Sequence, residues 1–104
     1  LSREDTGMII DTYVEKGVLQ ENPFRTLDLD GVGRLMELAA AAGKRAHPRL
    51  KLGICGEQAS DPRSIEFCQK IGMNYLSCAP VKVPTTKLAA AQAAVKAAGN
   101  EEER

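Results

Sequence analysis

The residue of this sequence that is best placed for chemistry is Cys55, the last residue of a strand predicted over residues 50–55. The apolar residues of that strand occupy every second position, at Leu50, Leu52 and Ile54. Cys55 therefore lies on the opposite face of the strand. In parallel α/β folds, ligands bind beyond the carboxyl ends of the strands. An unperturbed thiol is mostly protonated at neutral pH, so it can donate a proton to a molecule bound there.

The residues around Cys55 also favour a ligand site. Gly53 and Gly56 flank the cysteine, and glycine lets a ligand approach the backbone closely. Glu57 precedes a helix predicted to begin at the N-cap Asp61, where a negative charge is favourable. We interpret Glu57 as a supporting residue that orients the loop. The alternative for Cys55 is a small buried core thiol, which is the usual fate of a free cysteine.

Four further polar or thiol side chains are weaker candidates. A second strand, predicted over residues 75–78, ends at Ser77 and Cys78, where contact with a ligand is permitted and packing is the simpler interpretation. Cys68 lies on the apolar stripe of a helix, which indicates a core position. His47 is the only histidine, and its place in a polar connection before Pro48 predicts a surface residue.

The elements that position these residues follow the order α, α, β, α, β, α. Helices are predicted over residues 4–16, from Asp28 or Asp30 to Gly43, over 62–71, and from Thr85 or Thr86 to Gly99, with the charged tail 100–104 expected to fray. The final strand–helix–strand–helix forms two parallel β/α units. The stripes expected to face inward are Ile9, Ile10, Tyr13 and Val14; Val32, Leu35, Leu38, Ala39 and Ala42; Ile65, Cys68 and Ile71; and Leu88, Ala91 and Val95.

Composition excludes several classes of function. The 104 residues include 14 Lys and Arg and 14 Asp and Glu, so the chain lacks the basic excess of a nucleic-acid-binding domain. Two Tyr, two Phe and no Trp make base-stacking platforms improbable. No apolar run approaches the roughly 20 residues of a membrane span. Three cysteines without a CxxC motif, beside one histidine, fit neither a zinc site nor a disulfide framework, and favour a reducing intracellular compartment.

The predicted core is small. Two strands alone are marginally stable, and much of the apolar content is alanine. We therefore expect a fragment that has lost its true N-terminus, or a piece that needs partners to bury its sheet edges. The alanine-rich run of residues 89–98 is a candidate interface. Gly31 and Gly33 lack the third glycine of a dinucleotide-binding loop and follow no predicted strand, which argues against a phosphate site.

Several segments match a known family in order and spacing: Gly53-Ile54-Cys55-Gly56-Glu57, Asp61-Pro62, Ser64-Ile65-Glu66-Phe67, Asn22-Pro23-Phe24, Leu27-Asp28, Gly31-Val32-Gly33, Tyr75-Leu76-Ser77-Cys78-Ala79-Pro80 and Leu88-Ala89-Ala90-Ala91-Gln92. Together they strongly resemble the end of the pyruvate, phosphate dikinase family. The resemblance implies that residues 1–104 are part of a phosphoenolpyruvate-binding domain: the last two β/α units, with preceding helices, of a (β/α)8 TIM barrel, which as a whole needs about 250 residues. Gly53 and Cys55 would then point into the barrel mouth.

The resemblance also implies an activity. The family interconverts ATP, phosphate and pyruvate with AMP, diphosphate and phosphoenolpyruvate through a phosphohistidine and Mg2+. Cys55 matches the cysteine that protonates the pyruvate enolate, and Gly53, Gly56, Glu57 and Ser77 would bind substrate or support the site. The phosphohistidine, the ATP-grasp domain and the metal-binding carboxylates would lie outside this chain. We therefore expect the chain alone to be inactive and the full enzyme to be a homodimer.

Departures from the family pattern leave alternatives open. Gln58-Ala59-Ser60 stands where the family usually has His-Gly-Gly, which alters the loop after Cys55. Enzyme I of the bacterial sugar phosphotransferase system and phosphoenolpyruvate synthase are related alternatives. A non-catalytic oligomerisation or interaction module and a redox-active thiol protein are the others. The expected location is intracellular, in the cytoplasm, with plastids and glycosomes also compatible.

Overall fold

Two short parallel strands form the sheet on which the candidate site lies. In the computed structural model, which describes residues 3–102, β1 spans Gly53–Cys55 and β2 spans Tyr75–Ser77. The two strands pair in parallel, and the chain between them forms a helix. This arrangement confirms the predicted β/α connection. Both strands are shorter than predicted. Leu52 still joins the pairing, because its carbonyl oxygen accepts the Asn74 N–H at 2.7 Å and its own N–H donates to the Asn74 side chain at 2.9 Å.

All four predicted helices are present. Helix α3 is closest to its prediction: the Asp61 side chain caps it by accepting the Ser64 N–H at 2.9 Å, and Gly72 with φ +75° follows its end. Helix α2 continues past its predicted end at Gly43, and helix α4 starts before Thr85 and continues past Gly99. The helices are α1 at Arg3–Glu15, α2 at Arg34–Ala46, α3 at Pro62–Lys70 and α4 at Val83–Glu102, with a π-helical turn at Leu29–Gly33 and 3-10 turns at Glu57–Ser60 and Pro80–Lys82.

The buried faces of the helices agree with prediction only in part. Ile65 and Cys68 of α3 are buried as expected. In α4 the prediction is wrong, because the small residues Ala89 and Ala93 are buried while Leu88 and the rest of its stripe are exposed. Small side chains let α4 approach α3 closely, so the larger side chains point away from the contact.

Helices α1 and α2 show the same difference. In α2 the residue fully buried is Ala40, while Leu35 and Leu38 are two-thirds exposed. In α1, Thr6 is buried and Ile9 and Tyr13 are about half exposed. Within residues 3–102 these apolar stripes are therefore covered only in part. None of the helices in this range is long and apolar enough to cross a membrane.

A buried polar contact ties α3 to the chain segment that precedes α2. The Ser64 hydroxyl accepts the Leu27 N–H at 3.1 Å and donates to the Asp61 carboxylate at 2.5 Å. Both Ser64 and Leu27 are buried. Gly33 packs against the Phe67 ring, 3.2 Å from where a Cβ would lie. Gly33 is therefore explained by packing, and a Cβ at Gly31 would overlap the Asp28 carboxylate, which accepts the Gly31 N–H.

The sheet of the described residues does not by itself establish a barrel. Two strands of three residues cannot close on themselves, and a barrel of this kind needs eight. The mixed α/β order and the parallel pairing are compatible with the last two β/α units of one. The barrel remains a prediction, as does fraying of residues 100–104, of which the last two lie outside the described range.

Candidate functional site

Cys55 and Ser77 lie side by side at the carboxyl ends of the two strands. The pairing register joins Cys55 to Ser77 and Gly53 to Tyr75. Because side chains alternate along a strand, these four residues share one face of the sheet. In both strands this face is exposed, while the middle residue is half-buried against the helices. The structure therefore brings together three predicted site residues and presents the Cys55 thiol on an open surface.

Tyr75 belongs to this face and is absent from the residues that the sequence pattern singles out. Its ring lies directly over Gly53, where a Cβ would overlap the ring carbon atoms. The space at Gly53 is thus occupied by the tyrosine ring, and the role of Gly53 in binding a ligand remains a prediction. A signal is present in the sequence: Tyr75 stands two residues before Ser77 and so lies on the same strand face.

Gly56 shapes the turn that follows Cys55. Its backbone has φ +137° and ψ −177°, a conformation open in practice only to glycine. The Gln58 side chain folds over it, with Oε1 2.6 Å from where a Cβ would lie. The Gly56 carbonyl oxygen accepts the Ala59 N–H at 3.0 Å, which starts the 3-10 turn. Gly56 is therefore required for the turn by its own backbone and by its neighbour.

Glu57 opens the 3-10 turn and lies in the loop directly after Cys55 and Gly56. Its carbonyl oxygen accepts the Ser60 hydroxyl at 2.9 Å, which holds the turn together. The cap at the start of α3 is made by Asp61, through the Ser64 N–H and hydroxyl. The role of Glu57 as a support for the loop thus remains a prediction.

The other candidates lie away from this face or are buried. Cys68 is 2% exposed, and burial raises the pKa of its thiol. Cys78 follows β2 and is half-buried. His47 is exposed at the end of α2, where its N–H donates to the Gly43 carbonyl oxygen at 2.9 Å. His47 lies in the chain before β1, whereas Cys55 is the last residue of β1.

The described residues do not offer a metal site. Between residues 3 and 102, no group of three or more His, Cys, Asp or Glu side chains could hold an ion. A cavity of about 620 Å³ lies away from Cys55, between Arg63 and the segment from Val18 to Asp30. The sheet face itself offers an exposed thiol beside a hydroxyl and an aromatic ring, and a thiol is a group that can transfer a proton.

Comparison with known proteins decides the family. Residues 3–95 match the family described as PEP-utilising enzyme, PEP-binding domain, where PEP is phosphoenolpyruvate. The chain belongs to this PEP-utilising family. Among curated relatives, the chain is 50% identical over 94 residues to pyruvate, phosphate dikinase of Clostridium symbiosum, and 48% identical over 95 residues to that of Rhizobium meliloti. It is also 48% identical over 94 residues to pyruvate, phosphate dikinase 1, chloroplastic, of Arabidopsis thaliana.

The family match covers nearly all of this chain and little of its relatives. The three alignments cover 90–91% of the chain and 10–11% of the relatives. The chain thus spans about a tenth of the length of the PEP-utilising enzymes that it matches. The predicted resemblance to the dikinase family is confirmed, and the site face lies within the matched residues.

Proposed function

We propose that this chain is the pyruvate-binding and phosphoenolpyruvate-binding end of a pyruvate, phosphate dikinase. The enzyme as a whole would interconvert ATP, phosphate and pyruvate with AMP, diphosphate and phosphoenolpyruvate through a phosphohistidine. The observation that carries the proposal is the exposed Cys55 thiol at a strand end, in register with Ser77, within the part of the chain that matches the family. The chain alone would be inactive.

Cys55 would act as the general acid and base at the pyruvate methyl carbon. When phosphoenolpyruvate loses its phosphoryl group, the enolate of pyruvate remains. The Cys55 S–H bond would break as its proton forms a C–H bond at the methylene carbon, which leaves pyruvate and a thiolate. In the opposite direction the thiolate would remove that proton. The exposed position of Cys55 supports this role, because a buried thiol could not reach a substrate.

The neighbours of Cys55 would support this proton transfer. The Tyr75 ring covers Gly53 beside the thiol and would form one wall of the substrate site. The Ser77 hydroxyl, opposite Cys55, would donate to or accept from a substrate oxygen. Gly56 directs the chain away from the strand end, and Glu57 would hold the loop that follows.

Other parts of the reaction would depend on residues outside this chain. The described residues do not fit a Mg2+ site, because no cluster of three possible ligands is present among them. Mg2+ and the phosphohistidine would both be supplied by the rest of the dikinase. His47 is exposed in the connection that precedes β1, which supports a surface role for it.

The test uses a chimera in which this chain replaces the matching segment of the Clostridium symbiosum dikinase. We expect Cys55→Ala to lower the exchange of pyruvate methyl protons with D2O, followed by NMR, by about 10²–10⁴-fold, the usual contribution of a general acid or base. Formation of the phosphoenzyme from ATP should be unchanged. A Cys78→Ala chimera is the matched control, because that half-buried thiol follows β2 and lies outside the shared face.

Two results would contradict the proposal. If Cys55→Ala leaves the exchange of methyl protons intact, the thiol is not the proton donor. If the unmodified chimera forms phosphoenzyme from ATP but produces no phosphoenolpyruvate, this chain does not supply a competent pyruvate site.

Exposed apolar side chains support a second candidate function, a non-catalytic oligomerisation or interaction module derived from this family. Met8, Leu35 and Val95 are 84%, 68% and 73% exposed, on three different helices. The full enzyme would bury such faces against its own barrel or in a homodimer. Sedimentation of the isolated chain distinguishes the candidates, since a discrete oligomer supports the module and a monomer or aggregate opposes it. We propose an intracellular location for either, in the cytoplasm, a plastid or a glycosome.

A further inference from the structure

A surface that takes no part in the proposed chemistry carries a concentration of positive charge. It combines the end of α2, the connection to β1 and the last residue of α3. The sequence has no Asp or Glu between Glu37 and Glu57 to balance it. We name this surface the basic patch, and it consists of Lys44, Arg45, His47, Arg49, Lys51 and Lys70.

Two contacts bring the chain segments that carry these residues together. The Lys44 ammonium donates to the Gly72 carbonyl oxygen at 2.5 Å, which joins the end of α2 to the segment just after Lys70. The Leu50 N–H donates to the His47 carbonyl oxygen at 2.9 Å, so the connection turns back on itself before β1 begins. The basic patch therefore lies before the N-terminal end of β1, whereas Cys55 is the last residue of that strand.

The charges of the basic patch are not neutralised within the described residues. Arg49, Lys51 and Lys70 are exposed, and the ion pairs found in this part of the chain lie elsewhere, at Arg63 with Glu21 and at Lys96 with Glu66. Helix ends account for some of the basic residues, because cations are favoured in the last turn of a helix.

That explanation does not extend to the connection. Arg49 and Lys51 lie between α2 and β1 and belong to no helix end. Like charges this near in sequence repel one another, and an anionic partner would relieve that repulsion.

We propose that the basic patch docks a short acidic segment of a protein. The patch contains five of the 14 Lys and Arg residues of the chain. The rest of the chain therefore has nine Lys and Arg residues and 14 Asp and Glu residues, which gives it a net charge of −5. A long polyanion such as a nucleic acid would be repelled by that remainder, whereas a segment the size of the patch would not. Leu50, 38% exposed between Arg49 and Lys51, adds the apolar contact typical of protein interfaces, in which arginine is also enriched.

The test measures binding of a fluorescent deca-glutamate peptide to this chain by anisotropy in about 0.15 M salt, where distant charges are screened. The patch variant carries Arg45→Glu, Arg49→Glu and Lys51→Glu. We expect the patch variant to bind the peptide at least about tenfold more weakly, because three attractions between basic and acidic side chains become repulsions. The matched control carries Lys16→Glu, Arg25→Glu and Lys82→Glu, three exposed positions with the same change in net charge, and we expect it to bind within about twofold of the parent.

Three outcomes would overturn the proposal. Equal weakening in the patch variant and the control would mean attraction by overall charge alone. Tighter, patch-dependent binding of a 12-base-pair DNA duplex would assign the patch to nucleic acid. Self-association that disappears in the patch variant would make a second copy of the chain the partner. If circular dichroism shows that the patch variant is unfolded, the corresponding Gln substitutions at Arg45, Arg49 and Lys51 replace it, and an unchanged affinity then refutes the proposal.

Discussion

Replacing Gly56 by alanine tests whether the turn after Cys55 depends on glycine. The backbone of Gly56, at φ +137° and ψ −177°, lies in a region that costs a residue with a Cβ about 1–3 kcal/mol. The new methyl group would also meet the Gln58 side chain, with Oε1 2.6 Å away. Rotation of that flexible side chain relieves the second contact at about 0.5–1.5 kcal/mol.

The unfolded state offsets part of this cost. Alanine gives the unfolded chain less conformational entropy than glycine does, which offsets about 0.4–1 kcal/mol of the destabilisation. We therefore expect Gly56→Ala to lower the free energy of unfolding by about 1–3 kcal/mol. With a urea m-value of about 1 kcal/mol/M for a chain of this size, the unfolding midpoint should fall by about 1 M or more.

Other glycines of the chain supply matched controls for the same substitution. Gly17 has φ +70° with no atom within 4 Å of the position that a methyl group would take, so Gly17→Ala isolates the backbone cost, about 1–2 kcal/mol. Gly7 lies inside α1 with the same free space and without positive φ, so Gly7→Ala should instead stabilise the chain by about 0.5–1 kcal/mol. Gly56→Ala combined with Gln58→Ala should recover only the contact part of the loss.

The assay is urea unfolding followed by circular dichroism at 222 nm, with all variants at one protein concentration. An unchanged midpoint for Gly56→Ala would refute the reasoning. Full recovery by Gln58→Ala would show that side-chain overlap, and not the backbone conformation, makes glycine necessary at this position.

Two further predictions concern the buried groups of α3. Ser64→Ala should lower the free energy of unfolding by about 1–3 kcal/mol, because the buried Leu27 N–H loses its acceptor. The control Ser60→Ala, on the exposed turn, should lower it by less than about 1 kcal/mol. Equal urea midpoints for the two variants would contradict this prediction. Burial raises the pKa of the Cys68 thiol, so the folded chain holds that proton more tightly than the unfolded chain does. The free energy of unfolding should therefore keep this contribution below about pH 8.5 and lose it as the pH rises further. Urea midpoints at pH 7.5 and 9.5 measure this decline, which should be smaller in Cys68→Ala; an equal decline in both would contradict it.

Much of the candidate site is predictable because it depends on local chemistry. A period-two pattern places Cys55 at a strand end, and Asp61-Pro62 marks the start of α3, as the cap geometry confirms. The parallel connection follows from the strand–helix–strand order. The pairing of Cys55 with Ser77 is not predictable, since register depends on which strand residues meet across the sheet.

Side-chain packing decides what local patterns cannot. The sequence places Leu88 and Val95 on an apolar stripe, yet the fold buries Ala89 and Ala93, because close approach of α4 to α3 selects small side chains. The sequence pattern also suggests open space for a ligand at Gly53, and the Tyr75 ring fills that space from the neighbouring strand.

The sequence by itself thus determined the family and the order of the elements, and it singled out the candidate residue for proton transfer, because these depend on residue identity and short-range spacing. Only the tertiary structure decided which residues share the face of Cys55 and which helix surfaces are covered. Those properties depend on contacts between residues far apart in the chain, such as Leu27 with Ser64 and Gly53 with Tyr75, and no local pattern encodes them.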